Sequence, residues 1–135
     1  VIGLEIVRDD VHAALVDGLA GLLEATSVHA LIPDELALPT VWIVSPFGQR
    51  AKDPVTVVAA VEVIVAVDGA EQAQLAALDR LQGAVWVALD RIGIVYEAVG
   101  VDVLAGGPTV HGVVVRAELF VDVHTLCPPA LEAAS

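Results

Sequence analysis

The run from Val55 to Val67 (VTVVAAVEVIVAV) narrows the possible folds of this chain more than any other segment. It is rich in β-branched residues, holds neither Gly nor Pro, and closes on Asp68-Gly69, the pattern of a strand ending in a turn. Side chains alternate across a strand. One face therefore carries Val55, Val57, Ala59, Val61, Val63, Val65 and Val67, and the other Thr56, Val58, Ala60, Glu62, Ile64 and Ala66. Only Thr56 and Glu62 are polar. A sheet with one wet face shows cleaner alternation than this, so the pattern predicts cover on both faces. A membrane span is excluded by length: Pro54 to Val67 is 14 residues with Glu62 near its middle, whereas a spanning helix needs about 20 apolar residues.

Around that strand the chain divides into recognisable elements. Val11, Ala14, Leu15, Leu19, Leu22 and Leu23 recur at helical spacing, which predicts a helix from Val11 to about Ala25 with Asp9 and Asp10 as N-cap candidates. Gly18 and Gly21 weaken that helix or permit close packing. Thr26 to Pro39 reads as a loop, and Thr40–Ser45 as a short strand stopped by Pro46. A polar connection bounded by Pro46 and Pro54 follows. Ala70 to Ile92 reads as a second helix with Leu75, Leu78, Leu81, Val85, Leu89 and Ile92 on one side, Glu71 and Arg91 suiting the dipole at its ends, and Gly93 as its C′ residue. Two strands, Ile94–Leu104 and Val110–His124, complete the chain before a loose tail, 125–135.

The predicted order is α-β-β-α-β-β in a single domain, residues 1–135, with an ordered core over about 9–124. Adjacent strands with short connections favour an α+β fold with a mainly four-stranded antiparallel sheet and both helices on one face. In the last strand Val113, Val115, Ala117, Leu119, Val121 and Val123 form an apolar face, and Val114, Arg116, Glu118, Phe120 and Asp122 a mixed one. The second face of the sheet is then covered either by the chain's own loop (Thr26–Pro39) or tail, or by a neighbouring subunit. Association is the favoured expectation, because hydrophobic residues make up 57% of the chain, above the roughly 45–50% of ordinary soluble domains. Val58, Ala60, Glu62, Ile64, Arg116, Glu118 and Phe120 are the interface candidates on that face. Arg50 and Lys52, the only close pair of basic residues, form a candidate docking loop for an acidic surface.

Little in the sequence carries catalytic or binding chemistry. With 18 acidic and 6 basic residues the net charge is −12, which argues against wrapping nucleic acid. The one cysteine, Cys127, allows no intrachain disulfide and no cysteine-based zinc cage. His12, His29, His111 and His124 form no HxxxH or HExxH motif, and Ser27 and Ser45 lack the setting of an exposed nucleophile. The first ten residues show no basic region leading into an apolar core, so no secretory signal is expected. No catalytic, metal or cofactor site is expected.

The element order, the small acidic chain, the Val41-Trp42-Ile43-Val44-Ser45-Pro46 strand and loop, and the long strand ending in Asp68-Gly69 together resemble the tail terminator (tail completion) proteins of long-tailed siphophages of actinobacteria. The likeness runs from Val11 to Val123 and rests on architecture and composition. It implies a structural subunit whose sheets join around a ring, usually a hexamer. Such a ring caps the tail tube protein, stops its polymerisation and meets the head-side connector protein. DNA passes through the channel without specific binding. The implied location is the tail or neck of the virion, assembled in the host cytoplasm. Arg50, Lys52 and the Ala105–Thr109 hairpin are the candidate rim contacts. Other head–tail connector, neck or minor tail proteins are alternatives of the same class. A ferredoxin-like dimeric ligand-binding or enzyme domain is the competing class, and would need Glu62, Glu97, Arg116 and Glu118 to converge on a concave sheet face.

Overall fold

The structure, a computed structural model, describes residues 5–20, 27–31, 37–50, 55–104, 109–122 and 124; for 27, 45–50, 101–104 and 109 it gives the backbone path. The elements are α1 (Glu5–Gly18), β1 (Ser27–His29), β2 (Thr40–Arg50), β3 (Thr56–Asp68), α2 (Gln72–Asp90), β4 (Ile94–Leu104) and β5 (Thr109–Asp122). The strands form one sheet in the order β1-β2-β3-β5-β4. β1 runs parallel to β2, and every other pair is antiparallel. β3 and β4 thus both lie against β5, and α2 carries the chain over it from one to the other. The class is α+β, as the sequence predicts.

Among the described residues the sheet has five strands, where the sequence predicts a mainly four-stranded one. β1 arises inside the stretch read as a loop, where Ser27–His29 pairs with Thr40–Trp42; three residues are too short for a periodic signal. β2 also runs past Pro46 to Arg50. Its register against β3 shifts between Val44 and Phe47, so that Ser45 and Pro46 together face one residue of β3. A bulge is where a strand tolerates a residue without an N–H. The other flank of β2 offers a second reason, since β1 reaches only as far as Trp42.

The first helix begins at Glu5 rather than Val11. Asp9 and Asp10 are therefore exposed helical residues, not caps. The expected stripe survives in register: Val7, Val11, Leu15 and Leu19 are buried. Leu22, Leu23 and Gly21 lie outside the described residues. Gly18 does permit close packing, for a Cβ there would stand 2.8 Å from the Cβ of Ala88 on α2.

α2 starts from a hydrogen-bonded turn. The Ala70 N–H donates to Asp68 Oδ1 (2.9 Å), and the Asp68 N–H donates to Gln74 Oε1 (2.7 Å). Gln74 Nε2 in turn donates to the Leu38 carbonyl (3.3 Å), which ties the segment before β2 to the start of the helix. Glu71 occupies the N-cap position without capping through its side chain. At the other end the Gly93 N–H donates to the Leu89 carbonyl (2.9 Å). Gly93 does not adopt the left-handed conformation of a C′ glycine; instead a Cβ would lie 2.5 Å from the Glu118 carbonyl oxygen. Its value is steric, letting the chain enter β4 close beside β5.

One main core results. Val7, Val11, Leu15 and Leu19 of the α1 region and Leu81, Val85, Ala88 and Leu89 of α2 pack on Val41, Ile43, Val61, Val63, Val65, Val113, Val115 and Ala117. Both helices therefore cover the same sheet face. Among the described residues no helix is long and apolar enough to cross a membrane.

Candidate functional site

Pairing register places the remaining strand residues. Opposite the helices, Trp42 aligns with Ile64, then with Val114 and Val99; Val44 aligns with Glu62, then with Arg116 and Glu97. Further along, Ala60, Glu118 and Ile94 share a row, and Val58 aligns with Phe120. Seven sequence candidates (Val58, Ala60, Glu62, Ile64, Arg116, Glu118 and Phe120) thus lie on one face. Arg50 is the last residue of β2, opposite Val57, with its side chain outside the described set. Lys52 and residues 105–108 lie outside the described residues, so the docking loop and hairpin are not placed.

The face divides into two ends. At one end Trp42, Ala66 and Val110 are buried and form a small cluster with Leu38 and Ile64. Leu38 comes from the stretch preceding β2, so this part is covered by the chain itself. Of the two covers the sequence allows, the Thr26–Pro39 segment thus supplies this part through Leu38, and Ile64, one of the interface candidates, packs with it. At the other end nothing described lies over the sheet: Ile94 is 55% exposed, Tyr96 52% and Phe120 56%, while Val44, at 37%, stands across the sheet in the row of Glu62, Arg116 and Glu97.

Between the two ends sits an ion triad. Arg116 Nη1 donates to Glu97 Oε2 at 2.7 Å, and Arg116 Nε lies 3.7 Å from Glu62 Oε1. All three side chains are a third to two-fifths exposed, with relative accessibilities of 35% to 43%. Its position follows from the register, since Arg116 is the partner of both Glu62 and Glu97. β4 carries a bulge between Val95 and Glu97, and this brings Tyr96 close enough to act electrostatically on Arg116. The hydrogen bond to Glu97 raises the Arg116 pKa, with Glu62 adding to it and partial desolvation opposing. The guanidinium remains a cation at any working pH. The triad holds one donor group between two acceptors in a fixed orientation on an apolar surface, and it contains no nucleophile.

Three exposed residues of this surface, Val44, Ile94 and Tyr96, were not among the sequence candidates. Val44 and Ile94 follow from strand alternation once the register is known. Tyr96 does not, because the bulge resets the alternation around it.

Elsewhere, an open groove of about 620 Å³ runs between α1 and the end of β5, past Asp10, Ala13, Asp17, Arg91, Ile92 and Phe120. Arg91 and Asp17 approach to 3.8 Å across it, both well exposed, a contact worth little in water. His12, His29 and His111 are half-buried in separate elements, and His124 is exposed; Cys127 lies outside the described residues. Among the described residues no three His, Cys, Asp or Glu side chains are grouped to hold a metal. No family model matches the chain, and no curated protein matches its sequence.

Proposed function

We propose that this chain is a structural assembly subunit, acting as a ring-forming tail terminator that caps a phage tail tube and joins it to the head-side connector. The observation that carries the assembly reading is the open end of the sheet, where Ile94, Tyr96 and Phe120 stand exposed. Large apolar side chains left exposed together on one sheet face, among charged ones, are characteristic of protein contact. The sheet margin adds support. β4 is an edge strand of 11 residues without Lys, Arg or Pro, interrupted only by the bulge near its start, and such edges favour further strand pairing. The terminator role itself rests on the resemblance in architecture and composition from Val11 to Val123.

The mechanism is geometric. A heterologous contact repeated by rotation closes into a ring. One rim then matches the tube subunit, and the other refuses a further tube ring, so growth ends there. The net charge of −12 suits a channel past which DNA slides without binding. Light scattering on the purified chain tests the assembly reading: a closed oligomer of fixed stoichiometry is expected, and a monomer at tens of micromolar would overturn it. Imaging of the virion neck then tests the location. A ring sited elsewhere in the particle would make the chain another connector or minor tail protein.

A further inference from the structure

The structure points to the partner of the open sheet face: we infer that it docks on the outward surface of α2 of the next copy. This rests on the assembly reading above and specifies its contact.

The first observation is a glycine with no internal purpose. Gly83 lies mid-helix in α2 and is exposed, and a Cβ there would meet nothing within 4 Å. A mid-helix glycine weakens the helix relative to alanine, and packing within the chain does not require it. One turn before it stand Asp79 and Arg80; one turn after it stand Trp86 and Val87, 37% and 52% exposed. Gly83 therefore forms the floor of a shallow seat walled by an indole and a valine on one side and a charged pair on the other. A partner's apolar side chain, of the size of Phe120 or Ile94, fits such a seat.

The second observation is charge. Among the described residues the open sheet face carries Glu62, Glu97, Glu118 and Asp122 against Arg116, an excess of three negative charges. Two such faces brought together would oppose like charges, which disfavours a symmetric face-to-face pair. The docking surface must instead offer apolar area together with a cation. The outward surface of α2 offers Trp86 and Val87 with Arg80 next to Asp79, a patch without the net negative charge of the sheet face, and Arg80 makes no ion pair with any described residue.

The third is placement. The helices cover one sheet face and the open surface lies on the other, so the two docking surfaces are on opposite sides of a two-layer domain. Their contact is heterologous and leaves a free surface on each outer copy, the condition for growth into a ring.

Charge exchange tests the pairing. Wild type, Arg80→Glu, Glu118→Arg and the double variant are compared by light scattering over a concentration series, with circular dichroism confirming the fold. Each single change should raise the dissociation constant by about tenfold or more, and the double variant should recover most of the loss. Trp86→Ser, which leaves the charges alone, should also dissociate the assembly. A monomeric wild type removes the assembly reading itself. An oligomeric wild type that is unmoved by Arg80→Glu and Trp86→Ser leaves that reading standing and overturns this contact. A double variant that fails to recover also overturns it.

Discussion

Adding one methyl group at Gly93 should cost the fold a large part of its stability. The Cβ of Gly93→Ala would sit 2.5 Å from the Glu118 carbonyl oxygen and 3.0 and 3.1 Å from Cγ and Cδ1 of Leu119. A relaxed carbon–oxygen contact is near 3.3 Å, so the start of β4 must retreat from β5 by about 0.8 Å. The carbonyl cannot turn away, because Glu118 is held by register with Ile94 on one side and Ala60 on the other. Leu119 cannot yield easily either, being buried in the main core. Overpacking of this kind costs about 1–3 kcal/mol. Weakening one ladder hydrogen bond at the Ile94–Glu118 pair adds about 1 kcal/mol. The expected loss is about 3 kcal/mol, out of a total of about 5–15 kcal/mol for a domain. Urea unfolding at low protein concentration measures it. Gly83→Ala, the same chemical change in open space, provides the control and should gain about 1 kcal/mol. A Gly93→Ala variant within about 0.5 kcal/mol of wild type, the range of a neutral surface change, would refute the steric argument.

Three further outcomes follow from the same structure. Trp42 is 4% exposed and Trp86 37%, so acrylamide should quench Trp86 preferentially in the dissociated chain, and the Trp42→Phe variant should lose that quenching as concentration rises through assembly. Leu89→Ala, at a fully buried core position, should cost about 2–5 kcal/mol in urea unfolding. Arg116→Met should destabilise the chain equally at pH 6 and pH 9. The raised Arg116 pKa means its contribution is fully present below the unfolded guanidinium value and fades only as pH rises through the folded one, far above that window; a loss that differs between the two pH values would contradict this.

Alternation made the two long central strands legible. The odd residues Val113 to Leu119 and the set Ala59 to Val67 face the helices as their apolar periodicity requires, and Leu81, Val85 and Leu89 mark the inner side of α2 in the same way. Local cues misled where the chain offers a stronger signal than the one it uses. Asp9-Asp10 reads as a cap, yet both lie within α1, which runs from Glu5. Pro46 reads as a stop, but a bulge absorbs it. β1 and the Tyr96 bulge are set by pairing partners distant in sequence, which no local pattern encodes. The candidate site was legible as a face but not in extent. Its seven placed candidates share one side of the sheet, while the cover supplied by Leu38 depends on how the segment before β2 returns across Trp42.

A sequence that specifies one fold is locally consistent nearly everywhere, so the places where it departs from the optimum of an isolated domain are informative. Most apparent oddities of this chain resolve internally. Gly18 makes room for Ala88, Gly93 makes room for Glu118 and Leu119, and Trp42 on the far side of the sheet is sheltered by Leu38. Four features stay unresolved by anything within the described chain: Gly83 weakening a helix in open space, Trp86 beside it, Phe120 and Ile94 exposed on a sheet, and surplus carboxylates on a face where Arg116 pairs with Glu62 and Glu97. They are not scattered. Two lie on the outer surface of α2 and two on the outer surface of the sheet, with Arg80, which makes no ion pair with a described residue, on the first and surplus negative charge on the second. Random surface drift has no reason to sort defects into two complementary sets on opposite faces of one domain. Contact between copies removes all four at once: the seat at Gly83 is filled, the indole and the phenyl ring are covered, and Arg80 meets the carboxylates.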